Sequence, residues 1–231
     1  MKKYLLFLLL STVIASAQEN VVLDITSGEN LNEKLSTDVK YVFPDFVEGQ
    51  IHFKNGRRGI NLLNYNMLVG EMQFMSNEEI LAFSDLNNIL AVVIDKRRFF
   101  PFNKSEFCEE ILVADDSRLC VRRNARVSNL SKKGPYGVSV STSSMTSTSS
   151  FNSGESGQLH ELQVSGEILV SFNTIYYLMK NGKYYQIKNQ KSFIKQFPGH
   201  KEQINAFVKE HNTNFNKEDD LKALMNYCGN L

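Results

Sequence analysis

The sequence predicts a mainly β, α+β fold: an antiparallel β-meander forming an open barrel or sandwich, with a short C-terminal helical segment. Three observations carry this expectation. Short runs rich in Val, Ile, Tyr and Phe recur at intervals of about ten residues. No amphipathic helical stretch interrupts them before residue 190. From Lys191 the apolar period changes from two to about 3.6 residues. A parallel sheet would need helices alternating with strands, so strands first and helices last point to an antiparallel one.

The chain opens with an address label. Lys2 and Lys3 form a positive start, Tyr4 to Ile14 is largely apolar, and Ala15-Ser16-Ala17 is a small-residue cleavage site. Residues 1–17 therefore read as a signal peptide, and the mature chain is expected to begin at Gln18. The apolar part falls short of the roughly 20 residues that span a bilayer. The residue immediately after the cleavage site is Gln18 and not a cysteine, which argues against a lipid anchor. The expectation is a Sec-exported protein, periplasmic or secreted, with no transmembrane segment after signal cleavage.

The β-rich domain is expected over residues 18–190. Val21 to Ile25, Lys40 to Phe46 and Gln50 to Lys54 are the first strand candidates, separated by Gly or acidic breakers. Gly56-Arg57-Arg58-Gly59 turns the chain into INLLNYNMLVGEMQFM, residues 60–75. Here Ile60 to Tyr65 and Glu71 to Met75 read as two strands around a turn in which Gly70 supplies permissive dihedrals. Asn61, Asn64 and Asn66 are read as turn and backbone partners rather than ligand contacts, and the hairpin as a device that pins sheet register. Ile89 to Ile94, Arg98 to Phe102, Glu106 to Val113 and Leu119 to Arg123 follow, with Asp115, Asp116 and Ser117 turning the last pair.

Ser139 to Gly157, SVSTSSMTSTSSFNSGESG, offers few large apolar side chains and is expected to be a flexible excursion. Gln158 to Phe172 and Ile175 to Ile187 resume the strand pattern, the latter around a Lys180-Asn181-Gly182-Lys183 hairpin turn. Tyr176, Tyr177, Tyr184 and Tyr185 would pair across that turn. Residues 191–231 form the helical segment. Phe193, Ile194 and Phe197 make a short amphipathic turn ending at Pro198; Ile204, Phe207 and Val208 share one helix face; Leu221, Leu224, Met225 and Cys228 share another.

The chain of 231 residues carries 26 Lys and Arg against 25 Asp and Glu. Losing Lys2 and Lys3 with the leader takes the formal charge from +1 to about −1. That balance lacks the basic footprint of a nucleic-acid binder. Absence of Trp weakens a carbohydrate-platform reading, although nine Tyr and 16 Phe remain.

Three stretches, YVFPDFVEGQIHFKNG, LLNYNMLVGEMQFM and FIKQFPGHKEQINAFVKEHNTNFNKEDDLKALMNY, carry a resemblance. In them the chain resembles an uncharacterised exported protein family of Bacteroidetes-type bacteria. The resemblance covers most of the mature chain and implies export and a β-rich fold. It implies no cofactor and no catalytic residue.

Catalytic motifs are not found in the sequence. His52, His160, His200 and His211 are scattered, without HExxH or Cys/His zinc spacing. Ser153-Gly154-Glu155-Ser156-Gly157 is not GxSxG and lies in low-complexity sequence. Glu109 and Glu110 are adjacent on a strand and point to opposite faces, so they cannot act together on one atom. No metal and no cofactor are expected.

Lys96 to Phe102, KRRFFPF, is the candidate partner-binding stretch, with Arg97, Arg98, Phe99, Phe100 and Phe102 as its residues. Arg and aromatic side chains supply interface hot spots. The competing reading is a strand whose Phe residues fill the core while its basic residues guard a sheet edge. The preferred function is a non-catalytic envelope β-scaffold that binds an envelope protein or a glycan. The alternative is a hydrolase or carbohydrate-active domain whose site is assembled from dispersed residues.

Cys108 and Cys120 lie on the arms of one hairpin. A three-residue loop would put both thiols on one face and a two-residue loop would separate them, so a bridge needs a bulge or shifted register. Cys228 is read as a small buried hydrophobe. No disulfide is expected to be required for folding.

Overall fold

The computed structural model describes residues 20–25, 34–129, 132–133, 139–140 and 166–231. The leader, and all of the Ser/Thr-rich tract beyond Ser139 and Val140, lie outside them. The described chain is mainly β: eleven strands form one open antiparallel sheet, two short strands pair separately, and three of the four helices gather at the C-terminus.

The strands are β1 (Val21–Ile25), β2 (Val47–Phe53), β3 (Arg58–Asn66), β4 (Glu71–Ser76), β5 (Glu79–Ala82), β6 (Ile89–Ile94) and β7 (Arg97–Pro101). After them come β8 (Phe107–Ala114), β9 (Ser117–Asn129), β10 (Lys132–Lys133), β11 (Ser139–Val140), β12 (Gly166–Lys180) and β13 (Lys183–Ile187). The order across the 11-stranded sheet is β1-β12-β9-β8-β7-β6-β2-β3-β4-β5, with β13 also on β12; β10 and β11 pair separately. β12 is long enough to hold β1 beside its first half and β13 beside its second, while its other edge pairs with β9 from Ile168↔Asn129 to Lys180↔Ser117.

Turn chemistry sets the register. Asn181 and Gly182 both take positive φ, at 52° and 71°, so the two-residue hairpin twists with its strands. That turn pairs Tyr177 with Gln186 and Tyr184 with Met179, so the expected direct tyrosine pairs do not form, and Tyr177 and Tyr184 meet diagonally. Gly70, at φ 72°, ends the turn that enters β4.

Lys40 to Phe46 is not the expected strand. Helix α1 (Thr37–Lys40) is followed by bends, with a single bridge from Tyr41 to Asn66. Pro44 has no N–H to donate, and the Asn64 side chain takes up the backbone groups of Phe43 that a neighbouring strand would have used. β5, which lacks an alternating pattern, forms without having been expected from the sequence.

The sheet curls. Tyr65 on β3 stacks on Phe99 of β7 at 5.8 Å although β2 and β6 lie between those strands, and its hydroxyl donates to the Phe107 carbonyl at 3.2 Å. The turn after β3 closes the gap: Phe107 N–H donates to Gly70 O at 3.4 Å, and Ala125 N–H to Met67 O at 2.8 Å. Met67, Leu68 and Val69 are buried there, which seals one core against the next.

The C-terminal helices cap the inner face of β8, β9, β12 and β13. Helix α2 (Gln190–Ile194) starts with a capping box between Asn189 and Ser192 and buries Phe193. Helix α3 (Lys201–His211) buries Ile204 and ends with Asn212 in the left-handed region. Helix α4 (Glu218–Cys228) buries Leu221, Leu224, Met225 and Cys228 against Leu119, Val121 and Leu178, with Glu218, Asp219 and Asp220 at its positive end. Among the described residues no helix is long and apolar enough to cross a membrane.

Candidate interaction surface

Strand alternation divides KRRFFPF between the two faces of the sheet. Phe99 points to the inner face, 1% exposed, and packs with Phe43 and Tyr65. Arg97 shares that face: its guanidinium grips Glu109 through two contacts of 2.6 and 2.8 Å and lies over the Phe43 ring at 5.0 Å. Glu109 also accepts from Arg123, which reaches Glu218 at 3.0 Å, and Glu218 pairs with Lys222 at 2.6 Å. This relay ties β7, β8 and β9 to α4. Arg97 and Phe99 thus serve the fold.

Arg98, Phe100 and Phe102 fall on the outer face. They meet side chains from β8, β9, β12 and β13. Glu110, directly opposite Arg98 in the ladder, takes Arg98 at 3.5 Å and Arg118 from the other side. Arg118 lies over Phe100 at 5.1 Å and Arg122 over Phe102 at 5.2 Å. Arg122 pairs with Glu106 at 3.3 Å, and its Nε has no hydrogen-bond partner. Phe102 touches both Tyr177 and Tyr184 with centroids 4.8 Å apart, and Tyr184 donates to the Pro101 carbonyl at 3.1 Å. Burial pushes the Tyr177 and Tyr184 hydroxyls up, so both stay protonated donors at neutral pH.

The outcome is a band of three guanidinium groups, Arg118 and Arg122 over aromatic rings and Arg98 against Glu110, with Arg98 the most exposed at 48%. Three of the five residues expected from the sequence lie together on it. Arg118, Arg122, Tyr177 and Tyr184 complete it. The only sequence signal for the two arginines is alternation in SRLCVRRN, where Arg118, Cys120 and Arg122 share a face.

A second feature lies at the β8–β9 turn. A groove of about 310 Å³ runs between the β8–β9 turn, the end of β12, the α2–α3 connection and the C-terminus of α4. Lys180 pairs with Asp116 at 3.2 Å along it. The Ser117 hydroxyl and then Lys180 hold the Asp116 carboxyl below its usual range. Nδ1 of His200 is buried there without a partner. Burial pushes the Cys228 thiol up to about 11, so it is protonated and not a nucleophile at neutral pH. Among the described residues no group of three or more His, Cys, Asp or Glu is placed to hold a metal ion.

Fold and surface together define a mainly β chain with an open, curled antiparallel sheet, capped by helices on one face and bearing an arginine–aromatic band on the other. Comparison with protein-family models, curated proteins and solved structures finds no match for this chain.

Proposed function

We propose that the chain is a non-catalytic exported envelope protein, a β-scaffold that binds a partner through the outer-face band of Arg98, Phe100, Phe102, Arg118, Arg122 and Tyr184. One observation carries the reading: the guanidinium groups are already fixed against rings and carboxylates at the surface. Ordering side chains on association costs about 0.5–1.5 kcal/mol each, and a prearranged band avoids much of that cost. Arg and Tyr on a strand surface suit a protein partner carrying carboxylates.

Immobilised full-length chain, incubated with a bacterial envelope extract, tests the reading. The wild type should retain a partner that the Arg98→Ala/Arg118→Ala double variant loses, with the circular dichroism of both chains unchanged. Protease treatment of the extract should abolish capture; survival of capture would move the assignment to a glycan. No capture, or equal capture by both chains, would refute the band as the binding surface.

The alternative, a hydrolase or carbohydrate-active domain built from dispersed residues, has the groove beside Asp116, Lys180 and His200 in its favour. Turnover of a glycoside or ester panel that is lost in His200→Ala would favour it over the scaffold.

A further inference from the structure

We propose that Cys108 and Cys120 close a disulfide across β8 and β9, on the outer face beneath Phe102, Tyr177 and Tyr184. The register makes the pair. The β8–β9 turn has two residues, Ala114 pairing with Ser117, which by itself would place the thiols on opposite faces. A bulge at Ile111 then shifts the ladder by one, so Leu112 faces Leu119 but Glu110 faces Cys120. Cys108, two residues from Glu110, comes onto the face of Cys120 as its diagonal neighbour.

A diagonal pair in an antiparallel sheet is separated by roughly 7–8 Å, beyond the span a disulfide prefers, so closure draws the two strands together. In the structure the two thiols are free and lie together in one buried cluster with Tyr177. A bulged strand bends readily at the extra residue. Both residues are 0% exposed, and Cys228 packs on the inner face among Leu221, Leu224 and Met225, so it does not compete.

Closure joins the two sulfurs, releases two protons and passes two electrons to a disulfide-bearing oxidant, whose own S–S bond opens to two thiols. A small-molecule disulfide or a dithiol oxidase supplies that chemistry. Burial pushes the Cys108 thiol up, as does Cys120 beside it, so little thiolate forms once the aromatic cover is in place. Exchange therefore belongs to the folding chain rather than the folded one.

The full chain, unfolded under reducing conditions and refolded in a mixture of oxidised and reduced glutathione, gives the test. After thiol blocking, peptide mapping should recover Cys108 joined to Cys120 with Cys228 blocked, and Cys228→Ala should close the same bridge. Three blocked thiols in a refolded chain with native sheet content would overturn the proposal, as would a bridge to Cys228.

Discussion

Asn64 and Phe43 are hydrogen bonded in both directions: Asn64 Oδ1 accepts from the Phe43 N–H at 3.1 Å, and Nδ2 donates to the Phe43 carbonyl at 2.8 Å. Nδ2 also donates to the Asp45 carbonyl at 2.9 Å, and Oδ1 accepts from Tyr65 N–H at 2.9 Å. One fully buried amide thus replaces a missing strand beside β3. Asn64→Ala would strand several buried backbone groups, each costing about 1–3 kcal/mol. We expect a loss of about 3 kcal/mol in urea unfolding. Asn61→Ala, whose side chain bonds only the adjacent Leu62 N–H at an exposed position, should change stability by less than about 0.5 kcal/mol. Equal effects at the two sites would refute the bridging role.

Gly49 sits where three strands crowd. A Cβ there would come within 2.8 Å of both Leu63 Cδ1 and the Val93 carbonyl oxygen, and within 3.0 Å of Ile94 Cγ1. The carbonyl belongs to the β2–β6 ladder and cannot retreat without breaking it. Gly49→Ala should destabilise by about 1–3 kcal/mol through overpacking. At Gly59 the nearest atom is the Phe53 ring, 3.5 Å away, and φ is not positive, so Gly59→Ala should be neutral or stabilise by up to about 1 kcal/mol. Thermal melts of the two variants check both the size and the contrast.

The contrast between local and distant signals explains which parts of the structure were legible in the sequence. β1 and β6 end where their Val, Ile and Leu runs end, and α4 buries the four residues that its 3.6-residue spacing selects. These depend on neighbours in sequence. Lys40 to Phe46 misleads because its strand-like composition is overruled by an amide twenty-one positions away. β5 is hidden because Glu79-Ile80-Leu81-Ala82 owes its conformation to pairing with β4. The candidate surface was half legible for the same reason. Alternation within KRRFFPF is local, but its partners Arg118, Arg122 and Tyr184 arrive through sheet order, and the bulge at Ile111 has no marker in the residues around it.

Glu109 anchors the inner-face relay, and its side chain is 9% exposed against 33% for Arg97 and 26% for Arg123. Glu109→Gln keeps the volume but removes the charge both arginines share. Losing one member of a fully buried pair costs about 3–5 kcal/mol. Water reaches these guanidinium groups, so about 2 kcal/mol is expected. Glu218→Gln removes a carboxylate that is 29% exposed and should cost less than about 1 kcal/mol. Urea denaturation of both variants tests the order, and a larger loss at Glu218 would show that the relay is anchored on the helix instead.

Alkaline pH should weaken the fold through groups held protonated by burial. Cys228 is raised from 9.0 to about 11 by desolvation among Leu221, Leu224 and Met225, and burial raises Tyr65 and Tyr184 in the same direction. In the unfolded chain these groups release protons first, so above pH 9 the unfolded state binds fewer protons than the folded one. The Cys228 contribution is complete below pH 9 and is lost as pH rises toward 11, while the two tyrosines, raised from 10.0, begin to contribute to the loss only above pH 10. Melting temperature should therefore fall across that window. Cys228→Ala removes one titrating group, so its decline should be shallower than that of wild type even if its melting temperature at neutral pH is lower. A variant curve parallel to wild type between those limits would mean that the Cys228 thiol is not linked to folding.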